Sequence, residues 1–124
     1  MAGGAKTKAF ALEYADRLIS RPRGSLTVKL RQGQEGVTLL HQGKAVTKCY
    51  LNRSGMRAAT FMAQALGVKV PPLGGSVEAQ VSTGVLWRAV SISCLDFRKQ
   101  ASYVLLERLL AEAEQMRGTS SEGV

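Results

Sequence analysis

Residues 25–31, SLTVKLR, alternate strictly between apolar and polar positions. Leu26, Val28 and Leu30 fall on one side, Thr27, Lys29 and Arg31 on the other. A period of two predicts a half-buried β-strand, here with a basic outer face. "VTLLH" at residues 37–41 predicts a second strand and residues 45–51 a third. The short glycine-containing links QGQEG and QGK make the three an antiparallel meander. In the third strand Ala45, Thr47, Cys49 and Leu51 carry no charge and are assigned inward. Lys44, Val46, Lys48 and Tyr50 are assigned to the outer face.

Helical spacing brackets the meander. Ala11, Tyr14, Ala15, Leu18 and Ile19 recur at i, i+3, i+4, i+7 and i+8, which predicts a helix over residues 9–20. It stops at SRPRG, where Pro22 disfavours helix at the residue before it. Residues 52–67 predict a second helix, with Ser54 as N-cap, Ala59, Met62, Ala63 and Leu66 as apolar face, and Gly67 at the C-terminal cap. VKVPPLGGS, two prolines and two glycines within residues 68–76, reads as a connector within one domain.

The last third repeats the logic. Val77, Ala79 and Val81 alternate with Glu78, Gln80 and Ser82, STG turns the chain, and residues 85–95 read as a long strand. Asp96 then caps a final helix over residues 97–116, with Ala101, Val104, Leu105, Leu109, Ala113 and Met116 as its stripe and Gly118 as its end. Fold class is α+β: one domain over residues 9–117, in the order α-β-β-β-α-β-β-α. An antiparallel sheet of about five strands carries helices packed on one face. Residues 1–8 are expected to be flexible, and residues 118–124 a disordered tail.

Composition fits this picture. A chain of 124 residues with 45% hydrophobic and 21% charged residues can bury one core without metal or disulfides. No apolar run approaches the roughly 18–20 residues of a membrane span, so no membrane association is expected. MAGGAKTKAF lacks the apolar core of a secretory signal, and Glu13 and Asp16 interrupt a presequence pattern. With Cys49 and Cys94 in apolar runs, free buried thiols are expected. A reducing compartment follows, cytoplasm or nucleus, with an organelle matrix as the lesser alternative.

Charge changes the picture most. The formal net charge is +8. Residues 1–60 hold eleven lysines and arginines against three acids, and residues 61–124 hold six against six. Such asymmetry is what a one-sided electrostatic footprint produces. Lys29, Arg31, Lys44, Lys48 and Tyr50 are assigned to one sheet face, where cations meet phosphates and an aromatic ring stacks on a base. Arg21 and Arg23 before the first strand, and Arg53 and Arg57 at the start of the second helix, extend the patch. Arg57 opposes the helix dipole there, as Arg98 and Lys99 do at the final helix.

Catalytic chemistry finds little purchase. His41 is the one histidine, and two distant cysteines with it make no zinc pattern. PPLGGS lacks the Walker lysine. No cofactor, metal or catalytic residue is expected. Trp87, Leu106 and Leu110 are the candidate contacts with a protein partner, with Trp87 either core or interface. The leading expectation is a non-enzymatic nucleic-acid-binding module for RNA or single-stranded DNA. The alternative is an interaction or oligomerisation subunit, a homodimer or part of a heteromeric complex, using Trp87 and the last helix.

The α-β-β-β-α order over residues 10–66, with the basic stretches SLTVKLR and KAVTKCY, is similar to the small Alu-domain subunits of the signal recognition particle. The resemblance implies binding of structured RNA through a curved sheet. The β-β-α extension departs from that family. The sheet-plus-helix pattern is also similar to the units of Whirly- and PUR-like single-strand binders, without their third and fourth strands.

Overall fold

The computed structural model describes residues 11–13, 16–17 and 25–122, without the side chains beyond residue 118. Four strands form one antiparallel sheet: β1 (Ser25–Gln32), β2 (Gly36–His41), β3 (Lys44–Tyr50) and β4 (Ser76–Ser82). Their order across the sheet is β3-β2-β1-β4. Three helices accompany them: α1 (Arg53–Leu66), α2 (Thr83–Ser93) and α3 (Gln100–Glu122). Residues 11–13 and 16–17 are helical, in keeping with the first expected helix. The rest of that helix, and residues 1–8, lie outside the described residues.

The α+β class stands. The alternation of β1 does what its period requires: Val28 and Leu30 are buried while Thr27, Lys29 and Arg31 are exposed. β1 sits centrally, paired to β2 on one side and β4 on the other. The β2–β3 turn places Gln42 and Gly43 both at positive φ, 53° and 78°. That backbone matches the twist of an antiparallel hairpin, and glycine adopts it without steric cost.

β3 departs from its expected parity. Leu39 pairs with Thr47, but the next residue, Leu40, pairs with Ala45. Val46 is the extra residue of a β-bulge and is buried with Thr47. A bulge reverses the alternation beyond it. Ala45 therefore turns outward, and Lys44, opposite His41, leaves the outer face.

Residues 85–95 are the larger correction. They form α2 and no fifth strand, so the order ends β-α-α. Val85, Val90 and Ile92 are β-branched, which favours a strand reading. Yet the buried positions of α2 are Val85, Leu86, Ala89, Val90 and Ile92, the spacing of a helix stripe. Ser82 caps the helix: its Oγ accepts from the Val85 N–H at 3.2 Å. The STG turn is thus a cap.

α1 forms as expected, except that Asn52, not Ser54, is its N-cap, with Oδ1 accepting from the Gly55 N–H at 2.7 Å. Such a cap contributes about 1 kcal/mol. Gly67 closes the helix in the left-handed conformation. Arg117 of α3 donates to the Ala65 carbonyl there.

α3 begins later and runs on through Gly118, where a tail was expected. Residues 96–99 are a turn closed by the Lys99 N–H to the Asp96 carbonyl, so Asp96 caps the turn rather than the helix. The buried stripe of α3 is Leu106, Leu109 and Ala113. Val104 and Leu105 are 72% and 36% exposed, so the inward face is rotated from the expected one.

The core joins one face of the sheet (Val28, Leu30, Val37, Leu39, Cys49) to Ala59, Met62 and Leu66 of α1, to α2, and to the α3 stripe. The close approach of α1 to β3 depends on Gly55. A Cβ there would lie 2.0 Å from the Tyr50 carbonyl oxygen, a backbone atom with no room to move. Gly55→Ala is therefore expected to cost about 2 kcal/mol or more. Gly33→Ala, with open space around the new methyl, should cost little. Urea unfolding of the two variants checks this, and equal stability would contradict the α1–β3 packing.

Candidate nucleic-acid interface

The face of the sheet away from the helices carries Thr27, Lys29 and Arg31 of β1, Thr38 and Leu40 of β2, Ala45, Lys48 and Tyr50 of β3, and Ser76, Glu78 and Gln80 of β4. Among the described residues no helix lies over it. Arg31 pairs with Thr38, and Thr38 with Lys48. The two cations therefore stand on one cross-strand row, roughly 10 Å apart at two strand spacings. Tyr50, 52% exposed, stands two residues along the strand from Lys48. The Lys48 ammonium lies 5.7 Å from its ring centroid, within cation–π range.

Acids temper this face. Lys48 Nζ on β3 holds Glu35 Oε1 of the β1–β2 turn at 2.7 Å. The hydrogen bond from Lys48, and then its charge, lowers the Glu35 carboxyl below its usual range. Glu78 sits in register opposite Lys29. Sequence reading missed Glu78 as a neighbour because the pairing joins strands 49 positions apart (Lys29 and Glu78).

The expected basic residues divide accordingly. Lys29, Arg31, Lys48 and Tyr50 share the open face. Lys44 does not, because of the bulge. Arg21 and Arg23 lie outside the described residues. Arg53 and Arg57 are exposed on the first turns of α1, around the corner from β3. They line a cleft of about 780 Å³ together with Lys48, Tyr50, Asp96 and Arg98. Arg57 Nη1 donates to the Tyr103 phenol oxygen at 2.7 Å. Arg98, expected at the start of the final helix, lies in the turn before α3 and grips Asp96 with Nε and Nη2 at 2.9 and 3.0 Å. Those hydrogen bonds, with that of the Arg98 backbone N–H, hold the Asp96 carboxyl down to about 2. The D-x-R spacing was the available signal for the pair.

The expected protein-contact residues also divide. Leu106 is 4% exposed, a core residue and not an interface one. Its i, i+3, i+7 relation to Leu109 and Ala113 carries it inward. Leu110 is half-buried. Trp87 is half-buried on α2, its Nε1 donating to Asp16 Oδ1 at 2.9 Å. It lines a groove of about 590 Å³ with Leu12, Leu105 and Arg108.

His41 is 3% exposed at the end of β2, opposite Val28 and Lys44. Cys49 is a buried thiol, and desolvation, with Cys94 as a smaller cause, pushes it up to about 12. Among the described residues no group of three or more His, Cys, Asp or Glu side chains could hold a metal ion. Nor is any described helix long and apolar enough to cross a membrane. Comparison with protein-family models, curated proteins and solved structures finds no match, so neither family named for its element order is shown.

The Asp96–Arg98 pair gives a direct pH test. A depressed carboxyl favours the paired state above its ordinary value of 3.8 and loses that advantage as pH falls through about 2. A carbon-detected NMR titration should place the Asp96 midpoint near 2, and Arg98→Gln should raise it toward 3.8. A wild-type midpoint already at 3.8 would contradict the pair.

Proposed function

We propose that the chain is a non-enzymatic nucleic-acid-binding module that takes RNA or single-stranded DNA on the open face of its sheet. The supporting observation is the placement of Lys29, Arg31, Lys48 and Tyr50 together on a face with no described helix over it. The cations would meet backbone phosphates, and the exposed Tyr50 ring would stack on one unpaired base. That ring favours a single strand over a duplex, whose bases are already stacked. The surplus of cations in residues 1–60 supports a polyanion as partner. On this reading the affinity is mainly electrostatic, through Lys29, Arg31 and Lys48, and tolerant of sequence. The buried Cys49 thiol goes with a reducing compartment, cytoplasm or nucleus.

A second reading is a protein contact on α3, favoured by exposed Val104 and Leu105 beside the Trp87 groove. A homodimer or a heteromeric partner would use this surface, and it is compatible with binding on the far side of the molecule. The two readings differ in their response to salt and in the residues that matter.

Fluorescence anisotropy of labelled single-stranded RNA, single-stranded DNA and duplex at several salt concentrations tests the proposal. A Lys29→Glu/Arg31→Glu variant should bind single strands more weakly and show a slope of log K against log salt shallower by about 1.4, two phosphate contacts at roughly 0.7 each. Its thermal unfolding should fall only modestly: both side chains are exposed, and the main cost is the like-charge pair that Lys29→Glu makes with Glu78. Unchanged affinity and slope would sink the sheet-face proposal. Self-association lost in a Val104→Glu/Leu105→Glu variant would instead support the protein contact.

A further inference from the structure

We infer that the cleft between the end of β3, the first turns of α1 and residues 93–98 is a phosphomonoester site, built by Arg53 and Arg57. The inference rests on the nucleic-acid reading above and deepens it: the ligand is the phosphorylated end of a strand whose interior lies on the sheet.

Position comes first. Lys48 and Tyr50 belong both to the open face and to the wall of this cleft. β3 is the edge strand, so the cationic row of the sheet leads into the cleft there. A volume of about 780 Å³ falls in the range of small-ligand pockets and is ample for one terminal nucleotide.

Charge comes second. Lys48, Arg53, Arg57 and Arg98 line the cleft with one carboxylate, Asp96. Lys48 already holds Glu35, and Arg98 already holds Asp96. Arg57 is held only by a neutral phenol, and among the described residues neither Arg53 nor Arg57 has a carboxylate partner. These two guanidinium groups stand one helical turn apart, an arrangement of like charges that weakens a helix. Arg53 stands on a first turn without an acid, where a cation also opposes the dipole, and Arg57 follows on the next turn. An anion between them removes both costs.

The kind of anion follows. A phosphomonoester carries about −1.5 to −2 charge at pH 7, against −1 for an internal diester, and offers three oxygens to forked guanidinium donors. Two uncompensated arginines match that dianion. The exposed Tyr50 ring at the mouth would stack on the terminal base.

The test uses the full chain and one RNA sequence carrying a 5′-phosphate, a 3′-phosphate or neither, with AMP and inorganic phosphate as competitors. One of the phosphorylated strands should bind about tenfold more tightly than the unphosphorylated one, as charge-assisted bidentate contacts allow. The preference should shrink between pH 7.5 and pH 5, as the monoester dianion takes up a proton near pH 6 and becomes a monoanion. Arg53→Gln/Arg57→Gln should abolish the preference yet still bind the unphosphorylated strand, which also reports that the variant is folded. Equal binding of all three strands would overturn the inference while leaving the sheet-face reading standing. Failure of all three strands to bind would remove the sheet-face reading itself. AMP and phosphate binding without any preference among strands would make this a site for free nucleotides and overturn the strand-end assignment.

Discussion

The alternation of Leu26, Val28 and Leu30 with Thr27, Lys29 and Arg31 commits β1 to one orientation, and the sheet is organised around it. β1 is paired on both edges, so its inward side chains fix which face β2 and β4 must bury. A slip of one residue would put Lys29 and Arg31 into the core, where an unpaired charge costs several kcal/mol. The helices can therefore occupy only one side. α1 is held there by the backbone contact of Gly55 with Tyr50, and α2 by burial of Leu86, Val90 and Ile92. What remains on the other side is mostly polar, with Lys29, Arg31 and Lys48 set against Glu78 and, at the β1–β2 turn, Glu35.

That constraint was legible because period two and charge agree over the whole of β1. The bulge in β3 was not. KAVTKCY reads equally well with Lys44 outward, and only the register against β2 shows that Val46 is an extra residue. The swing of residues 85–95 from strand to helix has a different cause. Its β-branched residues favour extended chain locally, while its pairs of apolar positions four apart suit a helix buried between two others. Packing decides between them, and the Ser82 cap is the local feature that agrees with packing. Leu106 was misplaced for a related reason. α3 carries more apolar residues than one stripe needs, so its inward face is set by α2 and not by its own pattern.

The candidate site was legible in part. Exposed cations at alternate positions of β1, and the outward Lys48 of β3, follow from the sequence; the loss of Lys44 from the face does not. Their acid neighbours do not, since Glu78 reaches Lys29 through the β1–β4 pairing and Glu35 reaches Lys48 through a turn. These acids moderate the face without closing it. An exposed ion pair such as Lys48–Glu35 is worth about 0–1 kcal/mol, so exchanging the carboxylate for a phosphate costs little. The side of the sheet that excludes helices and the cleft at its β3 edge thus form one continuous basic surface, with Tyr50 at the join.

The proposed function depends on which surface of the molecule meets a ligand. The most direct measurement is amide chemical-shift mapping during titration of the full chain with a short single-stranded RNA. The account predicts perturbations at residues 27–31 and 45–50 and at the start of α1, with the exposed face of α3 unmoved. Perturbations confined to Trp87, Val104 and Leu105, with β1 silent, would contradict it.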